Sequence, residues 1–128
     1  MKPVQKMSDA ELEVMRAVWA AGGAATSPAL HVRLSGTREW KQNTVITFLA
    51  RLADKGLIRA EKKGRGKPSL YVALLTEEEY KRCETMEFLD EVHGGSVKGL
   101  MTALCGGEAL TRAQLCELKD WFDGLDRG

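Results

Sequence analysis

The chain has 128 residues, 44% hydrophobic and 29% charged, which suits one folded domain or two small ones sharing a core and excludes both a disordered chain and most large catalytic folds. Its net charge of +1 conceals an asymmetry: residues 1–75 carry 13 Lys and Arg against 6 Asp and Glu, a net +7, while residues 76–128 carry 6 against 12, a net −6. A basic part joined to an acidic part points toward nucleic acid as a partner.

The first helix is expected from Ser8-Asp9-Ala10-Glu11, a capping box in which Ser8 accepts from the Glu11 amide and Glu11 reaches back. Leu12, Met15 and Trp19 follow at helical spacing as its core stripe, and Gly22-Gly23 ends it. Ser27-Pro28 opens a short second helix with Leu30, Val32 and Leu34, stopping near Ser35-Gly36. A third helix runs from about Gln42 to Lys55 with Val45, Phe48, Leu49 and Leu52 on its buried side, and Gly56 suits the left-handed position just past its end. Two short runs, residues 57–62 and 69–74, then have strand character around the cationic loop Lys63-Gly64-Arg65-Gly66-Lys67-Pro68. Three helices followed by a β-hairpin is the order of a winged helix-turn-helix domain.

Thr76-Glu77-Glu78-Glu79 is a second capping box and starts an acidic helix that reaches about His93. Ser96 caps a fifth helix that ends at Gly106-Gly107, and Thr111-Arg112-Ala113-Gln114 opens a sixth carrying Leu115, Leu118, Trp121, Phe122 and Leu125. The predicted fold is therefore mainly α with a small β-hairpin wing. A winged-helix DNA-binding domain spans 1–75, and a C-terminal three-helix region spans 76–128. The latter has too much apolar face for a unit of its size to bury alone, so it is expected to dimerise through Met86, Leu89, Val92, Leu100, Leu104, Leu118 and Phe122.

Sequence-specific DNA binding needs phosphate contacts for affinity and base-edge contacts for choice. The exposed side of the third helix offers Lys41, Gln42, Asn43, Thr44, Ile46, Thr47 and Arg51. Asn and Gln suit adenine, and Ile46 suits a thymine methyl. Lys62, Lys63, Arg65 and Lys67 on the hairpin are the expected backbone contacts. His31 and His93 stand apart, and no nucleophile, zinc-protease or phosphate-loop pattern is present, so no catalytic residue, metal or cofactor is expected. Cys83, Cys105 and Cys116 lack ligand spacing and are expected to be buried small apolar residues, with a redox or metal-sensing role as the alternative. No apolar run reaches the roughly 20 residues of a membrane span. Met1-Lys2-Pro3-Val4-Gln5-Lys6 lacks the apolar stretch of a secretory signal, so a cytoplasmic protein without direct membrane insertion is expected.

The run Leu12-Glu13-Val14-Met15-Arg16-Ala17-Val18-Trp19 is followed by Trp40, Asn43-Thr44-Val45 and Thr47-x-Leu49-x-Arg51-Leu52-x-x-Lys55-Gly56-Leu57. Phe88-Leu89-x-x-Val92-x-Gly94-Gly95-Ser96 and Leu110-Thr111 come downstream. Over nearly its whole length the chain thereby resembles the BlaI/MecI/CopY family of penicillinase repressors. The resemblance implies a homodimer on a pseudo-palindromic operator. It also implies, for the β-lactam branch, release through cleavage by a membrane-bound zinc metallopeptidase at an Asn-Phe bond in the fifth helix. Alignment on Gly94-Gly95 places that bond at Ala103-Leu104, where this chain has no Asn, and the Cys-x-Cys pair of the copper branch is missing. Two other readings remain from the residues: a winged-helix module for acidic protein partners, and a repressor of this fold that senses through its cysteines.

Overall fold

The computed structural model describes residues 6–106 and 110–126. The segment Met1–Gln5 and Gly107 of the expected Gly106-Gly107 helix stop lie outside them. The elements in chain order are α1 (Asp9–Ala20), β1 (Ala24–Thr26), α2 (Ser27–Leu34), α3 (Gln42–Asp54), β2 (Ile58–Glu61), β3 (Leu70–Ala73), α4 (Glu77–His93), α5 (Val97–Gly106) and α6 (Arg112–Asp126). They divide into two compact units, residues 1–84 and 85–128. No helix among the described residues is long and apolar enough to cross a membrane.

Helix starts follow local chemistry. The Glu11 amide donates to Ser8 Oγ at 3.2 Å while the Ser8 amide donates to Glu11 Oε1 at 3.0 Å. The same reciprocal pair forms at Thr76 with Glu79 and at Thr111 with Gln114. The Gly99 amide donates to Ser96 Oγ. At α2 the cap falls one residue earlier than expected. Thr26 is still extended as the last residue of β1 and accepts from the Ala29 amide, which leaves Ser27 buried inside the first turn. The end of α3 is a Schellman stop: Gly56 has φ +77°, its amide donates to Ala53 O, and the Leu57 amide donates to Leu52 O. Leu57 is thereby folded back into the core.

The core of the first unit is built from Val14, Met15, Val18, Leu30, Val45, Leu49 and Leu52, all fully buried, each contributing roughly 1.5–3 kcal/mol. Three expectations are corrected here. In α1 the buried stripe is Val14, Met15 and Val18, with Leu12 and Trp19 half-buried at its flanks. Trp19 stays at the edge because its indole N–H donates to Leu75 O at 3.0 Å and its ring packs on Tyr80. In α2, Val32 is 71% exposed because Leu30 and Leu34, one turn apart, define the inward side and Val32 falls opposite. Phe48 is only half-buried, since its ring packs against Trp40 at the rim.

A three-stranded antiparallel sheet of order β1-β3-β2 closes the unit, with Ala25 opposite Tyr71, Ile58 opposite Ala73 and Glu61 opposite Leu70. The two hairpin strands are as expected, slightly shorter. Strand β1 was not foreseen: Ala24-Ala25-Thr26 has little intrinsic strand preference and is extended because β3 pairs with it.

One ion pair ties the two ends of the core together. Glu11 is 4% exposed, and its Oε1 receives Lys55 Nζ at 2.8 Å, while Oε2 has no hydrogen-bond partner among the described residues. Burial pushes this carboxyl up, but the hydrogen bonds from Lys55 and Ser8 and the Lys55 charge outweigh it and hold the group below its ordinary range. A carboxyl depressed on folding adds stability above its unfolded value and loses it as pH falls through the folded one. Lys55→Met is therefore expected to cost about 1–3 kcal/mol near neutral pH by stranding the carboxylate. Urea unfolding should show the gap to the wild type narrowing as pH falls through the carboxylate range and Glu11 protonates. A gap independent of pH would refute the assignment.

Candidate nucleic-acid interface

Because Val45, Leu49 and Leu52 turn inward, the opposite side of α3 faces solvent. Lys41, Gln42, Asn43, Ile46, Thr47 and Arg51 are exposed and Thr44 is half-buried. The residues expected to meet DNA on this helix thus lie together on its outer side and beginning. Lys41 occupies the N-cap position without a side-chain cap hydrogen bond. Thr47 Oγ1 donates to Asn43 O at 2.9 Å, so this side chain presents its methyl group and its remaining lone pairs outward.

The orientation of α3 is set by contacts that the sequence reading missed. Arg38, in the turn before α3, makes a two-pronged pair with Glu13 of α1, both hydrogen bonds being 2.9 Å. These hydrogen bonds hold the Glu13 carboxyl below its ordinary range. The Arg38 guanidinium lies 5.2 Å from the Trp40 ring centre, Trp40 packs on Phe48 at 5.1 Å, and the Arg51 guanidinium lies 5.7 Å from the Phe48 ring. His31 Nε2 donates to Trp40 O at 2.7 Å. Two packed rings thus sit between two cations along this ladder. It fastens the turn between α2 and α3 to α1 through Glu13, to α2 through His31 and to α3 through Phe48. The only sequence signal was the alternation Arg38-x-Trp40, which carries no partner information.

The hairpin loop presents Lys62, Lys63, Arg65 and Lys67, all exposed. Its tip is a turn in which the Lys67 amide donates to Gly64 O at 3.2 Å. Gly66, with φ +76°, sits in the left-handed conformation that the third residue of such a turn requires, which leaves Arg65 at the apex. Arg59 on β2 is a further exposed cation that was not expected at the site. Lys62, Arg65 and Lys67 have no acidic partner among the described residues, whereas Arg59 and Lys63 both meet Glu61.

In the second unit, Met86, Val92, Leu104 and Phe122 are exposed, as are Phe88, Trp121 and Leu125. Leu100 and Leu118 are half-buried, and Leu89 is already buried within the single chain. Neither α5 nor α6 has a buried residue among those described. That fact corrects the expectation for the thiols: Cys105 and Cys116 are exposed because their helices have no inward side in one chain, and Cys83 is half-buried. Ala103 and Leu104 are also exposed.

A family model described as penicillinase repressor matches residues 7–123. The penicillinase repressor of Bacillus licheniformis is 30% identical over 118 residues, covering 92% of this chain and 90% of that protein. The methicillin resistance regulatory protein MecI of Mammaliicoccus sciuri is 27% identical over 115 residues, covering 90% and 91%. Among solved structures, the monomeric form of Bacillus licheniformis BlaI in complex with the blaP half-operator superposes with a TM-score of 0.52 at 35% identity, covering 62% of this chain and 94% of that one.

Proposed function

This chain belongs to the penicillinase repressor family, and on that premise we propose that it is a cytoplasmic, sequence-specific transcriptional repressor that binds a pseudo-palindromic operator as a homodimer. In this reading α3 lies in the major groove with Asn43, Ile46 and Thr47 toward base edges. Lys41, Arg51 and the wing cations Lys62, Lys63, Arg65 and Lys67 meet phosphates. The observation that carries it is α3 itself: its inner side is locked in the core and its outer side is polar, exposed and framed by the most basic part of the chain. The exposed apolar residues of α4 and α6 support the dimer, because a soluble single chain rarely leaves so many together uncovered. We place release of the operator in α5, by a membrane-bound zinc metallopeptidase acting around Ala103-Leu104.

Retardation of the DNA upstream of the protein's own gene, against a random duplex of equal length, tests the reading. Specific binding at roughly 10⁻⁸–10⁻¹¹ M is expected, with the random duplex far weaker. Arg65→Ala should weaken both complexes alike and flatten the salt dependence by about 0.9 units, the signature of one lost phosphate contact. Equal affinity of the unaltered protein for both DNAs at moderate salt would overturn the repressor assignment.

A further inference from the structure

We infer that Glu61 is an internal counter-ion of the wing, competing with DNA phosphate for two wing cations and so setting the affinity that this protein has for DNA of any sequence. The inference rests on the DNA-binding reading above and deepens it. Arg59 and Glu61 are two residues apart on β2, so their side chains leave the same side of the strand, and Lys63 follows two residues beyond. The Arg59 guanidinium donates to Glu61 Oε1 at 2.6 Å, and Lys63 Nζ lies 3.3 Å from Oε2. Each carboxylate oxygen therefore has its own cation. Hydrogen bonds from Arg59 and then Lys63 hold the Glu61 carboxyl below its ordinary range and so favour its ionised form.

A cation adds to DNA affinity by neutralising a phosphate and releasing a condensed counterion, at about 0.9 units of salt slope each. Arg59 and Lys63 arrive at the DNA already neutralised in part. To reach phosphate they must leave Glu61, or else carry its negative charge toward the backbone. Both costs are the same for every sequence, because the phosphate is the same in all of them. Lys62, Arg65 and Lys67 have no such competitor among the described residues. The wing thus combines unmasked cations that drive binding with masked ones that moderate it, and the masking keeps a repressor from lingering on random DNA. Glu61 ends an edge strand of the sheet, and its side chain takes no part in the strand pairing, so Gln fits without disturbing the ladder.

The experiment measures binding of full-length wild type, Glu61→Gln and Arg59→Ala/Glu61→Gln to a random duplex and to the DNA upstream of the gene, across a salt series. Glu61→Gln is expected to bind both DNAs more tightly, on the order of three- to tenfold near 0.1 M salt, with the ratio between the two DNAs unchanged. The salt slope should steepen by about 1–2 units. The double variant should show a smaller gain. Glu61→Asp, whose shorter carboxylate cannot hold both cations, should move the same way by less. Unchanged or weaker binding to the random duplex, at an unchanged melting temperature, would mean that Glu61 arranges the cations instead of masking them, and would overturn the inference. A gain confined to the upstream DNA would overturn it as well. The repressor reading is tested separately, by the wild type's preference between the two DNAs, so either idea can fail while the other stands.

Discussion

Phe122→Asp is expected to turn a dimeric repressor into a monomer and to lower operator affinity by at least about tenfold. Phe122 is 47% exposed on α6 and touches Trp121 edge-on at 5.0 Å, so a carboxylate at this position leaves the single chain's fold intact. In a two-fold interface the substitution enters twice and sets an unpaired charge within an otherwise apolar contact, at a cost of roughly several kcal/mol. Each released winged helix then addresses one half-site alone. The effective concentration supplied by the partner is lost, and about half of the contacts with it. Sedimentation equilibrium should report half the mass, and retardation should show weak complexes with little preference between operator and random DNA. A variant that remains dimeric and keeps full affinity would place the subunit contact away from α6.

Asn43→Ala and Thr47→Ala should behave in the opposite way to a wing substitution. Both residues lie on the exposed side of α3, and neither carries a charge, so their loss leaves the electrostatic attraction common to all sequences in place. Each is expected to cost about 1–3 kcal/mol, concentrated at one or two base pairs, and to relax the choice of base there. In this reading Asn43 would act through a two-pronged amide, and Thr47 through its methyl group and free lone pairs, since its hydroxyl proton is held by Asn43 O. Competition against operators altered one base pair at a time would map the effect, with random-duplex affinity as the control. A uniform loss over all operator variants and the random duplex would move both residues from base contact to backbone contact.

The features legible in the chain alone are those whose chemistry closes within one turn. Ser8 with Glu11, Thr76 with Glu79 and Thr111 with Gln114 each form capping pairs across three residues, so a short motif is enough to place three helix starts. Gly56 marks the end of α3 because a left-handed residue there suits glycine. The division into basic and acidic parts is a property of composition, and the polar outer side of α3 follows from the helical repeat once its inner side is read. The candidate contacts Asn43, Thr47 and Arg65 follow from those two facts and from the glycine-flanked cationic loop between the two strand-like runs.

Tertiary structure decided whatever depends on how elements cross. Glu13 meets Arg38 across 25 residues and Glu11 meets Lys55 across 44, and neither pairing has a local signature. Strand β1 exists because β3 is beside it, and the exact buried stripe of α1 depends on where α2 and α3 press against it. The pairing of Glu61 with Arg59 and Lys63 is close in sequence yet invisible as a motif, because it requires an extended strand to set alternate side chains on one side. The thiols of Cys105 and Cys116 followed the same rule: an apolar helix pattern states that a side must be covered, whereas the tertiary structure of one chain shows α5 and α6 left uncovered. Local hydrogen bonds and conformational preferences are encoded within a few residues, while long-range contacts exist only when the packed core brings their partners within reach.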